Sequence, residues 1–382
     1  MQRLAVGFAV GSLISLVSGS VMAQAEFSYA TVDRNGPAKA WGKASGDIDR
    51  DGQVDFLVGG HDEDGAGLYW YHNPDWKRRT ISRNARIGTD IEVVDLNHDG
   101  RPDVVATSDT YGVPGISAFI NTARGWVARR LVGGVRLHDV EVADLNDDGL
   151  LDLVGRGQNT LGNRIRLWRQ GPPGRWNPSA IALPIENGDG VKVGDLARDG
   201  RPDIVVPRYW LKNVSSDDGP LAFVRLTYNA SAPPNGVVAL GRIDDDRLID
   251  IVVSPAHRAG SFGRVSWFRN PEDPSPYSQW HETVIESGVE RDVHFIGIAD
   301  FDGDGDNDIA TAMTELTRKP KIKLHLNENG NGAFGAPQIL ANTSSHNMQV
   351  MDLDNDGEPS LMGADYNRGE RTWVKLWRNP GD

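Results

Sequence analysis

Short runs of alternating apolar and polar residues fill most of the chain, and each run ends near Gly, Pro, Asn or Asp. Typical runs are HDVEVA, DIVVSP, RVSWFRNP and HETVIE, which are rich in Val, Ile, Trp and other residues that favour strands. The sequence shows no sustained period of 3.6 residues, which is the pattern that would indicate a long helix. The pattern therefore predicts an all-β protein.

The runs recur in groups of four, and an acidic segment marks each group. A nine-residue segment of the form D-x-[D/N]-x-D-G-x-x-D, or a degraded copy of it, recurs about every 50 residues, with one longer gap before the sixth copy. Such a period indicates a repeat architecture. Four antiparallel strands in each of seven repeats predict a seven-bladed β-propeller of four-stranded blades. The segments begin at Asp47, Asp95, Asp144, Asp195, Arg242, Asp300 and Asp352.

The two ends of the chain predict how the ring closes. The seventh repeat stops after its third run, TWVKLWRNPGD, whereas residues 27–33 form a β-like run that belongs to no repeat. Pairing of this N-terminal strand with the last blade would close the ring and remove exposed sheet edges. We therefore assign residues 26–382 to the propeller.

The first residues predict export. Arg3 is followed by a run of apolar and small residues, and Ala23 and Ala25 offer cleavage sites, so residues 1–23 are interpreted as a secretory signal peptide. A membrane anchor is the alternative, because the run is nearly long enough to span a bilayer. We expect a secreted or periplasmic protein that is free of the membrane after cleavage. The chain has no cysteine, which leaves bound metal as one source of stability.

Net charge narrows the range of partners. The formal net charge of −13 argues against a nucleic-acid partner, which requires a basic surface, and against docking on anionic lipid. We expect a carbohydrate or another extracellular ligand as the partner of a monomeric protein.

The crowded carboxylates of the acidic segments predict calcium-binding turns. Ca²⁺ takes roughly six to eight oxygen ligands, and positions 1, 3, 5 and 9 supply side-chain oxygens. Glycine at position 6 permits the positive φ of a tight turn. An EF-hand requires flanking helices and a glutamate at position 12, where the first, third and sixth loops have Val58, Gly155 and Thr311. The loops are therefore interpreted as turns between strands.

The loops differ in completeness. The seventh has Ser360 at its last position, the fourth has Ala197 at position 3, and the fifth has Arg242 at position 1, where a guanidinium could neutralise Asp244 or Asp246. We predict four good Ca²⁺ sites, one doubtful site and two empty loops. The predicted ligands are Asp47, Asp49, Asp51, Asp55, Asp95, Asn97, Asp99, Asp103, Asp144, Asn146, Asp148, Asp152, Asp300, Asp302, Asp304 and Asp308, with Asp352, Asp354 and Asp356 in the doubtful loop.

The acidic loop within its repeat resembles the FG-GAP or VCBS-type repeat of integrin α-subunit propellers and of many secreted bacterial proteins. The resemblance covers the chain after the predicted signal peptide and implies the propeller fold and calcium binding. The family includes adhesins, lectins and enzymes, so it implies no single activity. The segments YWYHNPDWKRRTI and WFRNPEDPSPYSQWHETVI also resemble the propeller of aldos-2-ulose dehydratase-type sugar enzymes.

Propeller geometry directs attention to the end of the central channel opposite the acidic loops. The residue six positions before each loop is expected to lie there, and the loops between second and third strands share that face. Sevenfold geometry would point three histidines at a common axis. The residues in the first set are Trp41, Thr89, His138, Asp189, Gly236, His294 and His346, and the second set contributes His61, Asp109, His257, Arg258, Tyr366 and Arg368.

Several hypotheses follow for this end of the channel. His138, His294 and His346 could hold an additional divalent metal. Alternatively, one of them could be the general base of a lyase or dehydratase, while Arg258 or Arg368 neutralises the carboxylate of an acidic sugar. The predicted ligand-binding residues are Trp41, His61, Asp109, Asp189, His257 and Tyr366. The non-enzymatic alternatives are a lectin or adhesin and a protein-binding scaffold.

Overall fold

The computed structural model describes residues 27–61, 66–157, 164–171, 175–180, 185–217, 219–256, 263–271, 279–289, 292–364 and 372–380. These residues form 28 strands and contain no helix. In this part of the chain, no helix therefore has the length and apolarity of a membrane span. The strands pair into seven four-stranded sheets, which confirms the predicted all-β, seven-bladed propeller. The predicted signal peptide, residues 1–23, lies outside the described residues.

Each of the first six blades is an antiparallel meander of four consecutive strands, numbered from the channel outward. The alternating runs of the sequence form these strands, and the acidic loops join the first strand of a blade to its second. The strands are β2(Gly42–Gly46), β3(Asp55–Gly60), β4(Gly67–His72) and β5(Lys77–Ser82); β6(Ile87–Val94), β7(Asp103–Ser108), β8(Gly115–Thr122) and β9(Gly125–Gly133); β10(Asp139–Ala143), β11(Asp152–Arg156), β12(Arg166–Gly171) and β13(Arg175–Ala180); β14(Lys192–Gly194), β15(Asp203–Val205), β16(Tyr209–Asn213) and β17(Phe223–Thr227); β18(Gly236–Gly241), β19(Asp250–Pro255), β20(Arg264–Arg269) and β21(His281–Ser287); and β22(Val293–Ala299), β23(Asp308–Met313), β24(Ile322–His325) and β25(Gln338–Ala341).

The seventh blade combines both ends of the described chain. Strands β26(Met348–Met351), β27(Ser360–Ala364) and β28(Val374–Arg378) are completed by β1(Ser28–Asp33), which pairs antiparallel with β28. Tyr29 lies opposite Trp377 in this pairing. The predicted closure of the ring by the N-terminal strand is confirmed, and it covers the outer edge that β28 would otherwise expose.

The core is divided among the interfaces between blades. Seven apolar clusters each combine residues of two neighbouring blades. In the first, Trp70 of β4 packs with Ile91 and Phe119 of the next blade. Trp267 takes the same third-strand position as Trp70 and also packs against the following blade. Trp168 and Trp377 are one position further along their strands and pack against the preceding blade, so a buried tryptophan recurs between blades. Burial of each such side chain stabilises the ring by about 1.5–3 kcal/mol.

The innermost strands separate two chemically different ends of the channel. Strand β10 begins immediately after His138 and ends immediately before Asp144, the first residue of the third acidic loop. At about 3.3 Å per residue, these two residues are roughly 20 Å apart. The acidic loops therefore lie at one end, and the residues that precede the inner strands lie at the other.

Candidate functional site

The first acidic loop shows how one repeat gathers its carboxylates. The two carboxylate oxygens of Asp47 accept hydrogen bonds of 3.0 Å from the backbone amides of Asp51 and Gly52. Asp55 begins the next strand, so its carboxylate points back into the turn. Oxygen atoms of Asp47, Asp49 and Asp55 lie within 4.8 Å of one another, a donor set that fits Ca²⁺.

The same turn recurs in most other blades. The amide of the position-6 glycine donates to the position-1 aspartate in the second, third, fourth, sixth and seventh loops, at 2.8–3.0 Å. These glycines and Gly52 have φ angles between 78° and 97°, which confirms the predicted need for glycine. In the fifth loop Arg247 takes this position with a φ of 65°.

The last aspartate of the loop is buried and fastened to the backbone. Asp55 accepts a hydrogen bond of 3.0 Å from the amide of Ile48 and one of 2.9 Å from the amide of Asn73. Burial raises the pKa of Asp55 to about 7, and that of Asp308 also to about 7. A divalent cation in the loop would favour the ionised carboxylates.

A residue at the end of the third strand comes close to the loop carboxylates in several blades. Nη2 of Arg169 lies 2.8 Å from Asp148 in the third loop, and Nζ of Lys212 lies 3.3 Å from Asp199 in the fourth. Hydrogen bonds from Asn146 and Arg169 outweigh the effect of burial and lower the pKa of Asp148. Ile120 and Leu326 occupy the equivalent sequence positions in the second and sixth blades. A basic side chain thus takes this position in only some blades.

The fifth loop also has a basic partner, but a different one from that expected. The guanidinium beside its carboxylates belongs to Arg269, whose Nε lies 2.6 Å from Asp244 and 3.3 Å from Asp246. The expectation that Arg242 would neutralise them is wrong, because the end of β20 brings Arg269 over the turn. In the first loop His72 holds the matching position, with Nε2 3.4 Å from Asp49.

An asparagine that the sequence analysis did not single out links six of the seven acidic loops to the next blade. The side-chain amide of Asn327 donates at 2.7 Å to the carbonyl oxygen of Ile243, in the preceding loop, while its backbone amide donates at 2.8 Å to Asp308. Its signal is a recurrent Asn near the end of the third strand, which Gln170 replaces in blade three. The equivalent side-chain bonds run from Asn73 to Leu353, Asn121 to Ile48, Asn213 to Leu145, Asn270 to Leu196 and Asn379 to Phe301.

At the opposite end of the channel, the structure brings the three predicted histidines together. The rings of His138 and His294 are 5.5 Å apart, and those of His294 and His346 are 4.2 Å apart. A register shift between Val293 and Phe295 places His294 in a β-bulge. All three are buried rather than exposed at a channel mouth, since residues from several blades meet at the narrow axis.

Buried carboxylates surround this histidine group. Nδ1 of His138 lies 3.2 Å from Asp139 and 3.5 Å from Asp189, and donor atoms of His138, Asp189 and His294 fall within 4.8 Å of one another. Burial lowers the pKa of His138, but Asp189 and Asp139 outweigh it and raise this pKa to about 9. We call His138, Asp189, His294 and His346 the axial cluster.

A polar cavity of about 350 Å³ adjoins the axial cluster. It runs from Asp189 and His294 along the inner strands to Leu240 and Ile298. Carboxyl groups outnumber basic groups in and beside it. The carboxyl groups are those of Asp90, Glu92, Asp139, Glu141 and Asp189, and the basic groups are those of Lys43, Arg156 and Lys192.

The remaining predicted site residues form a second group or lie outside the described residues. The rings of Trp41 and His61 are 5.1 Å apart, and Nε2 of His61 is 4.0 Å from Asp109, so these three half-buried side chains lie together between blades one and two. The structure does not describe four further predicted residues, namely His257, Arg258, Tyr366 and Arg368.

Comparison with known families bears on the acidic loops. A model of the FG-GAP-like repeat matches residues 47–106, 144–206 and 300–362. Each match begins at the first residue of one acidic loop and extends through the next loop. The protein is an FG-GAP-type β-propeller. The three matches cover six of its seven loops, and the fifth loop of this FG-GAP propeller, with Arg242 at position 1, lies outside them.

Solved structures share the fold of the FG-GAP propeller at low identity. BBS1N in complex with ARL6DN aligns at 13% identity and a TM-score of 0.58 in a mercury-soaked crystal, and at 11% and 0.56 in a lead-soaked crystal; both alignments cover 94% of this chain and 99% of that one. The V. cholerae biofilm matrix protein Bap1 aligns at 11% identity and a TM-score of 0.40, over 91% of this chain and 89% of Bap1. No curated protein matches the chain. The resemblance to aldos-2-ulose dehydratase-type enzymes stays a prediction.

Proposed function

We propose that the FG-GAP propeller is an exported, calcium-stabilised binding protein that engages a carbohydrate at the axial end of its channel. The observation that carries the proposal is the separation of two sites. Carboxylate turns suited to Ca²⁺ lie at one end, and a polar cavity begins beside the axial cluster at the other end, where Trp41 and His61 form a separate half-buried group. A cavity of about 350 Å³ is within the size range of small-ligand sites.

Calcium would occupy the loops that lack a side-chain cation of their own. The sixth loop has Leu326 beside it and gathers Asp300, Asp302 and Asp304 within 4.8 Å. The second loop also has an apolar residue, Ile120, at this position, but Nε of Arg101 lies 3.6 Å from its Asp99. Arg169 already contacts the carboxylates of the third loop, so we propose that this loop binds Ca²⁺ more weakly than its complete set of ligands predicts.

Calcium at these loops would stabilise the contacts between blades. The backbone amide of each linking asparagine donates to the last residue of its own loop, an aspartate in five loops and Ser360 in the seventh, and its side chain donates to a carbonyl oxygen of the preceding loop. An ion that orders a loop therefore also orders the carbonyl oxygen of that loop, which accepts a hydrogen bond from the asparagine of the next blade. Ions that bind only the folded state add to its stability.

The charge of the cavity favours a neutral or cationic sugar over a uronate. The carboxyl groups of Asp90, Asp139 and Asp189 would repel an acidic ligand in a site of low dielectric constant. The candidate general bases His294 and His346 are buried in the axial cluster. These features support the non-catalytic hypothesis over the lyase hypothesis.

Three measurements test the proposal. Bound calcium is counted after dialysis, and we expect Asp304→Ala to lose one ion, whereas Asp199→Ala, at the matching position of the fourth loop, loses none. A chelator should lower the melting temperature of the wild type by several degrees, and an unchanged melting curve would contradict the calcium assignment. Calorimetry with neutral, amino and uronate oligosaccharides then tests the ligand; turnover of a polyuronide would contradict non-catalytic binding.

A further inference from the structure

The axial cluster places metal-binding groups from three blades at one buried point. His138 precedes β10, Asp189 precedes β14, and His294 lies in the bulge of β22. Their donor atoms lie within 4.8 Å of one another, and Nδ1 of His138 is 3.5 Å from a carboxylate oxygen of Asp189. Two ligands that each lie about 2.1 Å from a tetrahedral ion are separated by roughly 3.4 Å, so little movement is needed to close the site.

The donor set differs from that of the acidic loops. Imidazole nitrogens with a carboxylate suit Zn²⁺, Fe²⁺ and related ions, whereas Ca²⁺ prefers oxygen ligands alone. The site is also buried, with His294 3% and Asp189 1% exposed, so water would compete little for the ion. This cluster is therefore chemically selective between the two classes of metal.

A neighbouring polar group holds one of the imidazoles as outer partners of metal ligands commonly do. The side-chain oxygen of Asn347 lies 3.2 Å from Nδ1 of His294, which leaves Nε2 of that ring for the ion. Such contacts fix the orientation of a ligating ring and increase its basicity. His346 packs against His294 and adds a third imidazole beside the site.

The carboxylates next to the axial cluster also suit a cation. Carboxylate oxygens of Asp139 and Asp189 lie 3.2 Å and 3.5 Å from Nδ1 of His138. Two carboxylates at this distance would compensate the charge of a buried divalent ion.

The geometry points to a divalent transition-metal site, of the Zn²⁺ or Fe²⁺ class, formed by His138, Asp189 and His294 on the propeller axis. It is separate from the calcium loops, and it goes beyond the proposed carbohydrate binding. Three protein ligands leave part of the coordination shell for another donor. Because Asp189 and His294 also line the cavity, a ligand held there could coordinate the ion through an oxygen atom.

The test uses the full mature chain purified without a histidine tag. After removal of metals, Ca²⁺ is restored in excess and Co²⁺ is titrated as a spectroscopic probe. We expect one equivalent of Co²⁺ to bind with visible d–d absorption. His294→Ala should abolish this signal, and Asn347→Ala should weaken binding about tenfold. His281→Ala, on an exposed outer strand, should leave binding unchanged.

A second measurement covers variants that fail to fold. X-ray absorption of the zinc-loaded wild type should show imidazole and carboxylate ligands in the first coordination shell. Absence of any bound transition metal from the wild type, or an unchanged Co²⁺ spectrum in folded His294→Ala, would overturn the inference. In that case His138 would act as an imidazolium paired with Asp139 and Asp189. The calcium count is measured on the same samples, so failure of this site is distinguishable from failure of the calcium loops.

Discussion

The side-chain amide of Asn213 donates a hydrogen bond of 2.7 Å to the carbonyl oxygen of Leu145, which lies in the acidic loop of the preceding blade. The backbone amide of Asn213 donates at 2.7 Å to Asp203 of its own loop. Asn213 and Leu145 are both buried. One residue therefore connects two acidic loops, and loss of its side chain would leave a buried carbonyl group without this donor.

Replacement of this asparagine should weaken the ring. We expect Asn213→Ala to lower the free energy of unfolding by about 1–3 kcal/mol, because a buried acceptor loses its hydrogen bond. Urea unfolding measures the change. The control is Asn177→Ala on the exposed face of β13, where a change of less than about 0.5 kcal/mol is expected. Equal effects of the two substitutions would contradict the linking role.

Substitution of the residue beside an acidic loop should change calcium binding, and the direction should depend on whether a positive charge is added or removed. Leu326→Arg places a guanidinium beside the sixth loop and should remove one calcium site, whereas Arg169→Leu removes the cation from the third loop and should tighten its binding. Calorimetric titration with Ca²⁺ measures both changes. Val224→Arg, which adds the same charge on an outer strand, is the control. Unchanged stoichiometry in Leu326→Arg would show that side-chain cations do not compete with calcium.

His325 should make stability depend on pH. Burial lowers its pKa from 6.5 to about 4, while Glu286, 3.6 Å away, opposes this shift. The unfolded chain therefore binds a proton below pH 6.5 that the folded chain excludes until about pH 4. Relative to His325→Gln, the wild type should lose about 3 kcal/mol of stability as the pH falls through this window. Urea unfolding of both proteins from pH 7 to pH 4 measures the difference, and parallel profiles would contradict it.

The fifth loop should be stabilised by restoring glycine. Arg247 has a φ of 65°, a conformation that costs a residue with a Cβ atom about 1 kcal/mol or more. Arg247→Gly should therefore raise the free energy of unfolding by about 0.5 kcal/mol, after the larger entropy of glycine in the unfolded chain is deducted. Arg247→Ala keeps the Cβ atom and should bring no gain. A gain shared by both variants would indicate an effect of charge instead.

The sequence by itself determined the strands, the seven repeats, the closure by residues 27–33 and the turn geometry at glycines such as Gly52. These features depend on interactions over a few residues: alternation of apolar positions, the conformational freedom of glycine and the carboxylate-to-amide hydrogen bonds of a single turn. The histidine register was also predictable, because a ring of equivalent strands places equivalent positions near one axis.

Only the tertiary structure decided which groups meet across blades. Arg269 rather than Arg242 contacts Asp244, Asn213 finds its acceptor 68 residues away in Leu145, and a carboxylate oxygen of Asp189 comes within 4.8 Å of donor atoms of both His138 and His294. Repeat periodicity gives the order of the blades but not their twist, and the bulge at His294 changes the direction of that side chain. Such contacts depend on ångström-scale packing between distant segments, which a local pattern of residues does not encode.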